Sequence, residues 1–259
     1  MGIYNCAGYL QQALDSLYAQ TFQDFKIILC DDGSTDETYQ IAARNADAHS
    51  NIVLIRNQRN MGLNHTLNRC LELADTEYCA RMDGDDISLP TRFEKEVKFL
   101  DEHPEYAIVS CPMFYYDEDG VFGKGKGGNE PTRMTFIKGT PFCHAPCMVR
   151  REAYVAVGGY SESKRLLRAE DYHLWMKMYA AGYRGYNLEE CLYSMRDDRN
   201  AAGRRNWSAR RNISYAMWLA CRTLHLPLYA YAYCLSPLVK GLVPSGIVRY
   251  LHRKKLSGN

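Results

Sequence analysis

The sequence predicts an α/β protein built on a mostly parallel sheet that is flanked by helices, with a helical extension at its C-terminal end. In the first half of the chain, short apolar runs alternate with helical segments through short links, which is typical of a parallel sheet covered on both faces. Acidic turns follow two of these runs, at the strand ends where such sheets bind ligands. After Trp207 the pattern becomes helical and apolar, and this predicts the extension.

The predicted elements can be followed from the start of the chain. Leu10, Leu14 and Leu17 share one face at helical spacing and predict a first helix, and only the residues around Ile3 precede it as a strand. The elements predicted next are strands at 25–30, 52–55, 78–82 and 107–111, a helix at 63–73 and a helix that begins near Pro90. Ser34 and Glu37 have the spacing of a capping box for a further helix.

The second half of the chain is less regular. Residues 117–128 are rich in Asp, Gly and Lys and predict an exposed hairpin or mobile loop. Residues 151–157 and 170–181 have helical patterns, and Gly182 ends the second of them. The helical region after Trp207 is interrupted by Pro227, Pro237 and Pro244. We therefore divide the chain into a sheet-containing domain at 1–205 and a basic helical extension at 206–259.

Charge is distributed unevenly along the 259 residues. All 30 Asp and Glu lie at or before Asp198, and eleven of the 32 Lys and Arg lie after it, so residues 1–198 hold 21 bases and a net charge of −9. An acidic body with a basic tail indicates that the tail faces an anionic partner. The ten cysteines do not have the paired spacing of metal ligands, and no secretory signal peptide is visible. We therefore interpret the cysteines as reduced thiols of a cytoplasmic protein.

Two acidic turns carry residues that could bind a ligand or take part in a reaction. Asp83 and Asp85 follow the predicted strand at 78–82, and two carboxylates one residue apart can converge on a hard cation, which would neutralise a diphosphate leaving group. A solvated acidic turn is the alternative. Asp31 and Asp32 follow the strand at 25–30, where a carboxylate could accept the N–H of a uracil ring. The alternative there is an Asx turn that leads into a helix.

Other polar residues are open to two interpretations. Glu170 and Asp171 precede a helix, where acids commonly complement the helix dipole. His144 is a possible ligand or substrate contact, but a structural histidine is the favoured interpretation. A set of arginines in the second half could clamp phosphates or form a solvated basic loop, and its members are Arg196, Arg199, Arg204 and Arg205.

Taken together, the motifs resemble the family-two glycosyltransferases of the GT-A fold, from Ile3 to about Arg196. The ordered motifs that carry this resemblance are Tyr4-Asn5, Gln20-Thr21-Phe22, Asp31-Asp32-Gly33-Ser34, Asn57 with Asn60-Met61-Gly62, Arg81-Met82-Asp83-Gly84-Asp85-Asp86 and Glu170-Asp171. Members of this family begin with a complete strand before the Tyr-Asn pair. We therefore expect this chain to be less stable than one extended by further strand residues before Met1.

The resemblance also implies roles for individual residues. Tyr4 matches the tyrosine that stacks on the base, and Asp32 matches the carboxylate that reads uracil. Asp83 and Asp85 match the metal and ribose motif, with Asp85 as the direct ligand. Asp171, beside Glu170, matches the general base of inverting members. The residues expected to bind the nucleotide sugar are Tyr4, Asn5, Asp32, Asn60, Arg81, Asp83 and Arg196.

The expected activity is transfer of a sugar from a nucleoside-diphosphate sugar, preferably a UDP-sugar, to an acceptor hydroxyl with inversion. Mg²⁺ or Mn²⁺ would assist, and the acceptor would be a saccharide or a lipid-linked molecule in cell-surface polysaccharide or glycolipid synthesis. The alternatives are a nucleotidyltransferase, which would need a Gly-rich phosphate loop that Asn5-Cys6-Ala7-Gly8 does not supply, and a catalytically impaired nucleotide-binding scaffold. No nucleic-acid partner is expected, because the basic tail contains no recognisable module.

The extension has a stretch without charge. No Asp, Glu, Lys or Arg lies between Thr223 and Val239, and tyrosines and prolines occur within this stretch. It is at the lower limit for crossing a bilayer, roughly 17–25 residues. Basic residues follow it, namely Arg249, Arg253, Lys254 and Lys255. We therefore expect peripheral docking on an anionic membrane surface at the inner face of the cytoplasmic membrane, and the alternative is a buried helical cap.

Overall fold

Strands and helices alternate through most of the chain in a computed structural model that describes residues 1–197 and 206–243, with 246, 247, 250, 254 and 256. The first half contains β1 (Gly2–Ile3), α1 (Ala7–Tyr18), β2 (Ile27–Asp31), α2 (Thr38–Ala48), β3 (Ile52–Arg56), α3 (Leu63–Glu72), β4 (Tyr78–Ala80), β5 (Ile87–Ser88), α4 (Arg92–Glu102), β6 (Ile108–Ser110), β7 (Met113–Asp117) and β8 (Gly120–Lys124). The second half contains β9 (Met148–Arg150), α5 (Arg151–Ala156), α6 (Glu170–Ala180), β10 (Gly185–Asn187), β11 (Tyr193–Arg196), α7 (Trp207–Thr223), α8 (Ala230–Tyr233) and α9 (Ser236–Gly241). The predicted α/β class is confirmed.

The first sheet is parallel, in the order β1-β2-β3. Its strands are buried beneath α1, whose Leu10 and Leu14 join Ile3 and Leu29 in one apolar core. Strand β1 is only two residues long, as the sequence predicts. Met1 precedes β1, and its N-terminal ammonium group donates a hydrogen bond of 2.7 Å to the carbonyl oxygen of Ile28 in β2.

A cavity of about 560 Å³ lies beside this short strand. Residues of β2 and of β4 line it, including Ile28 and Cys79, and so do Leu67 of α3 and Phe93 of α4. The lining is mostly apolar. The cavity therefore separates two strands along the track of β1, ahead of Met1.

The remaining strands form two mixed sheets. The second sheet has the order β10-β6-β9-β4, in which β10 and β6 are parallel and β9 is antiparallel to both of its neighbours. The third sheet has the order β5-β11-β7-β8, and its β7–β8 hairpin confirms the prediction for residues 117–128. Strands β5, β9, β10 and β11 were not predicted from the sequence. They span only two to four residues, too few to produce a clear alternation of polar and apolar positions.

The predicted capping box is wrong. Helix α2 begins at Thr38, and its N-cap residue Glu37 makes no capping bond through its side chain. The Ser34 hydroxyl accepts a hydrogen bond from the backbone N–H of Asn5, and the Thr38 hydroxyl accepts one from the N–H of Cys6. Contacts with the β1–α1 link have therefore replaced the local cap.

Helix α7 of the extension packs on the body of the protein. Its Ala216 and Ala220 are buried in the same apolar cluster as Trp175 of α6. The Asn212 side chain on α7 donates hydrogen bonds to the carbonyl oxygens of Lys164 (3.2 Å) and Leu167 (3.0 Å), in the loop that precedes α6. Helix α7 thus packs on the body through one face, and it precedes the uncharged stretch from Thr223 to Val239 for which a buried cap was the alternative.

Helices α8 and α9 fold back onto α7. Cys221 of α7 and Cys234, just after α8, bring their sulfur atoms to 3.8 Å, and none of the ten cysteines forms a disulfide. In the part of the chain that the structure describes, no helix has the length and apolar character needed to cross a membrane. Three of the basic residues expected to face a membrane lie outside the described residues, namely Arg249, Arg253 and Lys255.

Candidate active site

Tyr4 and Asn5 form the first part of the site, directly after β1. The Tyr4 side chain is 45% exposed, so its ring is accessible to a stacking partner. Asn5 adopts a left-handed backbone conformation with φ of 46°. Its N–H donates to the Ser34 hydroxyl at 3.0 Å, and its side-chain oxygen accepts from the Thr35 N–H at 2.9 Å. These bonds hold the end of β1 against the turn after β2.

Asp32, in the turn after β2, makes three hydrogen bonds within the protein. Its carboxylate accepts from the Asn57 side chain at 2.7 Å and from the backbone N–H groups of Met61 (2.8 Å) and Gly62 (2.9 Å). A carboxylate has about four acceptor positions, so one position remains for a ligand. Asn60, in the same loop, is exposed.

Asp31, the neighbouring acid, is balanced by a cation. Its buried carboxylate lies 2.9 Å from the Arg56 Nε and also accepts a hydrogen bond from the N–H of Ser34. The Arg56 guanidinium in turn lies 4.3 Å from the centre of the Tyr39 ring. The charge of Asp31 is therefore balanced within the protein.

The second acidic turn follows β4 and packs against the end of β1. Arg81 forms a bidentate ion pair with Asp83, with nitrogen–oxygen distances of 2.6 and 3.0 Å. Gly84 lies so close to the end of β1 that a side chain there would meet the Cys6 sulfur at 2.8 Å and an Ile3 methyl group at 3.2 Å. Glycine at this position therefore lets the second turn lie directly against the end of β1 and the start of the link to α1.

Asp86 is the buried acid of the second turn. Its carboxylate accepts hydrogen bonds from the Tyr193 hydroxyl at 2.9 Å and from the Arg196 backbone N–H at 2.8 Å. Burial, together with the nearby charges of Asp83 and Asp85, raises the pKa of Asp86 to about 8. The raised pKa indicates a concentration of negative charge at this turn.

Arg196 lies at the end of β11, beside this turn. Its guanidinium pairs with Glu118 at 3.0 Å and lies 3.6 Å from the centre of the Tyr9 ring. The sequence grouped it with a set of arginines that could clamp phosphates. The remaining arginines of that set lie outside the described residues, namely Arg199, Arg204 and Arg205.

A buried ion pair supports the second turn from behind. Arg92 and Glu96 on α4 are both fully buried and pair at 3.1 Å. Arg92 also donates to the carbonyl oxygens of Arg81 (2.9 Å) and Cys147 (3.4 Å), which joins β4 to the segment before β9. Such a pair is rarely a net gain in stability, but removing one partner is strongly destabilising. Arg92 therefore fixes the backbone from which Arg81 and Asp83 project.

Asp171 and Glu170 occupy the first turn of α6. Burial, and secondarily the charge of Glu170, raises the pKa of Asp171 to about 6, although the nearby Arg81 guanidinium acts in the opposite direction. Arg81 thus affects Asp171 electrostatically while it pairs directly with Asp83. A carboxylate with a raised pKa is a stronger proton acceptor than an ordinary aspartate.

His144 lies in this region as a neutral, hydrogen-bonded side chain. Its Nε2 atom is 2.8 Å from the Tyr160 hydroxyl oxygen. Burial and the Arg81 charge hold the pKa of His144 well below its ordinary value. This arrangement agrees with the structural role favoured from the sequence.

The donor set of the second turn suits a hard divalent cation. Mg²⁺ is typically bound by one or two carboxylates together with substrate phosphates, and Asp83 and Asp85 supply two carboxylates one residue apart. Asp83 is already paired with Arg81, so a cation would share this carboxylate with the guanidinium. Among the described residues, no group of three or more His, Cys, Asp or Glu side chains is arranged around one metal position. The residues therefore fit an ion that substrate oxygens complete.

Three contributors to the site were not identified from the sequence. Tyr193 accepts a hydrogen bond from the Asp83 N–H at 3.2 Å and donates one to Asp86, so that one hydroxyl links both acids. Arg92 supports the end of β4 from α4. Asp86 is the third, since it stands in the quoted acidic motif but was given no role. Tyr193 is 107 residues from Asp86, and nothing in the local pattern around Arg92 indicated its role.

Sequence comparisons identify relatives of this chain. The profile described as Glycosyl transferase family 2 matches residues 1–158, and that of Glycosyl transferase family group 2 matches residues 80–244. EpsE of Bacillus subtilis (strain 168), assigned as a glycosyltransferase, is 41% identical over 99% of this chain and 92% of its own length. The amylovoran biosynthesis glycosyltransferase AmsE of Erwinia amylovora is 28% identical over 96% and 94% of the two chains. WfaP of Escherichia coli, UDP-Glc:alpha-D-GlcNAc-diphosphoundecaprenol beta-1,3-glucosyltransferase, is 28% identical over 73% of each chain.

Solved structures share the fold. TarS of S. aureus, residues 1–349 in complex with UDP-GlcNAc, superposes with a TM-score of 0.68 and 21% identity over 92% of this chain and 69% of that one. The mannosyltransferase PcManGT of Pyrobaculum calidifontis, in complex with GDP-Man and Mn²⁺, gives 0.67 and 21% over 97% and 77%. The extent of the profile match and the identity to EpsE show that this chain belongs to glycosyl transferase family 2.

Proposed function

We propose that this glycosyltransferase moves a sugar from a UDP-sugar to a hydroxyl group of a lipid-linked saccharide, with inversion, during synthesis of a cell-surface polysaccharide. The observation that carries the proposal is the close approach of the second acidic turn to Ile3 and Cys6, the residues that flank Tyr4 and Asn5, with Arg81 positioned to act on both Asp83 and Asp171. One edge of the fold therefore supplies groups that would bind the nucleobase and the diphosphate, and a group that would accept the proton.

Donor binding is assigned to the first acidic turn and its neighbours. The exposed Tyr4 ring would stack on uracil, and the fourth acceptor position of Asp32 would take the ring N–H. The complex of TarS with UDP-GlcNAc supports a uridine nucleotide for this fold. The other residues proposed to contact the donor are Asn5, Asn60, Arg81, Asp83 and Arg196.

A divalent cation, Mg²⁺ or Mn²⁺, is proposed at Asp83 and Asp85. When bound, such an ion supplies positive charge that stabilises the departing diphosphate. The close spacing of Asp83, Asp85 and Asp86 supports the proposal, because a cation would be attracted to carboxylates gathered in one turn. The complex of PcManGT with GDP-Man and Mn²⁺ supports it as well.

Asp171 is the proposed general base, with Glu170 beside it. The acceptor oxygen forms its bond to the anomeric carbon as the bond from that carbon to the diphosphate oxygen breaks. The acceptor proton passes to the Asp171 carboxylate, and its raised pKa of about 6 makes the transfer more favourable than for an ordinary aspartate. A single displacement of this kind inverts the configuration of the anomeric carbon.

The acceptor class follows from the relatives. WfaP acts on a diphosphoundecaprenol-linked sugar, and AmsE takes part in amylovoran biosynthesis. We propose the same class of acceptor, a lipid-linked saccharide, for this chain, and we place the reaction at the inner face of the cytoplasmic membrane. There the water-soluble donor and the lipid-linked acceptor meet.

The test is a screen of nucleotide sugars in the presence of Mn²⁺, using a polyprenyl-diphosphate-linked saccharide as acceptor. Each reaction is analysed for nucleoside diphosphate, for pyrophosphate and for the anomeric configuration of the product. Release of UDP with an inverted product supports the proposal. Release of pyrophosphate in a parallel reaction with UTP and a sugar 1-phosphate would instead identify a nucleotidyltransferase, and tight UDP binding without any turnover would identify a nucleotide-binding scaffold.

A further inference from the structure

Helices α8 and α9 form an almost continuous helical segment. The flanking residues Tyr229, Cys234, Leu235 and Leu242 all have right-handed helical backbone angles. Side chains three or four positions apart therefore share one face between residues 228 and 243.

One face of this segment is occupied by the rest of the protein. Ala230, Cys234 and Pro237 are buried, and the side chain of Arg210 on α7 donates a hydrogen bond of 3.2 Å to the carbonyl oxygen of Pro237. Packing against α7 thus fixes which side of α8 and α9 points away from the body.

The opposite face is apolar and exposed. Leu228, Leu235, Val239 and Leu242 follow one another at intervals of seven, four and three residues, and they are 88%, 60%, 60% and 75% exposed. Tyr229 and Tyr233, at the edge of this stripe, are 58% and 42% exposed. A contiguous exposed apolar surface of this kind marks a site of association with a protein or a membrane.

Charge favours a lipid surface as the occupant. No Asp or Glu occurs after Asp198, and the exposed Lys240 lies within the segment. The two other strongly exposed valines have acidic neighbours, since Glu118 and Asp119 precede Val121 and Glu152 precedes Val155. Among the described residues, the α8–α9 face combines apolar side chains, aromatic rings at its edge and positive charge without acids, which is the composition of a helix that lies in a membrane interface.

We propose that the face formed by Leu228, Leu235, Val239 and Leu242 docks on an anionic bilayer. The segment lies in the headgroup layer and does not cross it, because α8 and α9 comprise only four and six residues. The inference deepens the proposed function, on which its purpose rests, because a docked enzyme meets the head of a lipid-linked acceptor. Docking itself does not depend on turnover.

The experiment is flotation of the full chain with vesicles of phosphatidylcholine containing increasing fractions of phosphatidylglycerol. The test variant carries Leu235→Ser, Val239→Ser and Leu242→Ser together, and the matched control carries Val121→Ser and Val155→Ser, which remove exposed apolar side chains elsewhere. We expect the native chain and the control to float with anionic vesicles at low salt, and the test variant to lose at least about tenfold in binding. High salt should weaken binding of the native chain, because screening reduces its attraction to lipid charge.

Calorimetry measures UDP binding, and circular dichroism measures folding. Together they distinguish a failure of the docking proposal from a failure of the transferase proposal. A folded test variant that still binds UDP but no longer floats supports the docking face. If the native chain binds UDP and fails to float, or floats equally with neutral vesicles, the docking proposal is overturned and the transferase proposal is unaffected. If sedimentation gives a dimer for the native chain and a monomer for the test variant, the face joins two copies and the lipid proposal is also overturned. Absence of UDP binding in a chain that does float contradicts the transferase proposal alone.

Discussion

The two acidic turns have similar sequences but balance their charges differently. In the first turn, Asp31 pairs with Arg56 and Asp32 accepts three hydrogen bonds from neighbouring loops. In the second, three acids lie within four residues, and their mutual repulsion contributes to a pKa of about 8 for Asp86. The first turn therefore stabilises the fold, whereas the second concentrates negative charge that a cation can relieve. Similar acidic motifs at strand ends can thus differ in how much of their charge is balanced within the protein.

The largest effect is expected at Asp171, which lies outside both turns. Its substitution tests whether the turns contribute to donor binding alone, with proton transfer carried out by Asp171. Asp171→Asn should retain UDP affinity and lose about three orders of magnitude or more in kcat, because an amide cannot accept the proton. Single-turnover kinetics and calorimetry measure the two quantities. Glu170→Gln is the control, with a much smaller expected loss. A near-normal kcat in Asp171→Asn would transfer the role of base to Glu170 or another group.

Asp85→Ala tests the second turn directly. We expect metal-dependent UDP binding to fall by at least about 100-fold, roughly 3 kcal/mol, with little change in Tm. The measurement is calorimetry with Mn²⁺ and with EDTA. Undiminished affinity that does not depend on metal would contradict a cation site at this turn.

Asp32→Ala tests the first turn and should give the opposite pattern. Removal of the carboxylate leaves the N–H groups of Met61 and Gly62 and the Asn57 amide without their partner, which should lower the free energy of unfolding by about 2–4 kcal/mol. Chemical denaturation measures this loss, and the remaining binding should discriminate less between UDP and GDP. If Asp32→Ala proves as stable as the native chain, the contrast between the turns fails.

The pH dependence of turnover sharpens the assignment of Asp171. A base must be ionised to accept a proton, so kcat should decrease about tenfold per pH unit below the Asp171 pKa of about 6 and level off above it. The pH–rate profile should lose this acid limb in Asp171→Asn. An acid limb centred near 4 would indicate that an unperturbed carboxylate acts as the base.

The smallest expected effect concerns the cavity ahead of β1. A chain extended before Met1 by a few apolar, strand-forming residues should melt a few degrees higher, because they could fill the cavity between β2 and β4 and pair with both strands. A Gly-Ser extension of equal length is the control. Equal melting temperatures for the two extended chains would show that the cavity does not accept a strand.

The sequence predicted the elements whose signals are local. Strand β2 is a buried run bounded by polar residues, β3 is an apolar run that is only partly buried, and the acidic turns could be located because each directly follows a strand. The capping box failed because Asn5, distant in sequence, competes for the Ser34 hydroxyl. Tyr193 was missed because its role depends on β11 lying beside β5 and β7, a pairing that no local pattern in a four-residue strand specifies.

The two hydrogen bonds from Asn212 also bear on how this enzyme could be recombined with its relatives. A chimera that receives a foreign α7 without this amide would leave the carbonyl oxygens of Lys164 and Leu167 without their donor, in the loop that leads into Asp171. The loop and the helix should therefore be exchanged together in a chimera, although about 40 residues of sequence separate them. An exchange of acceptor specificity between homologues should keep both segments from the same parent.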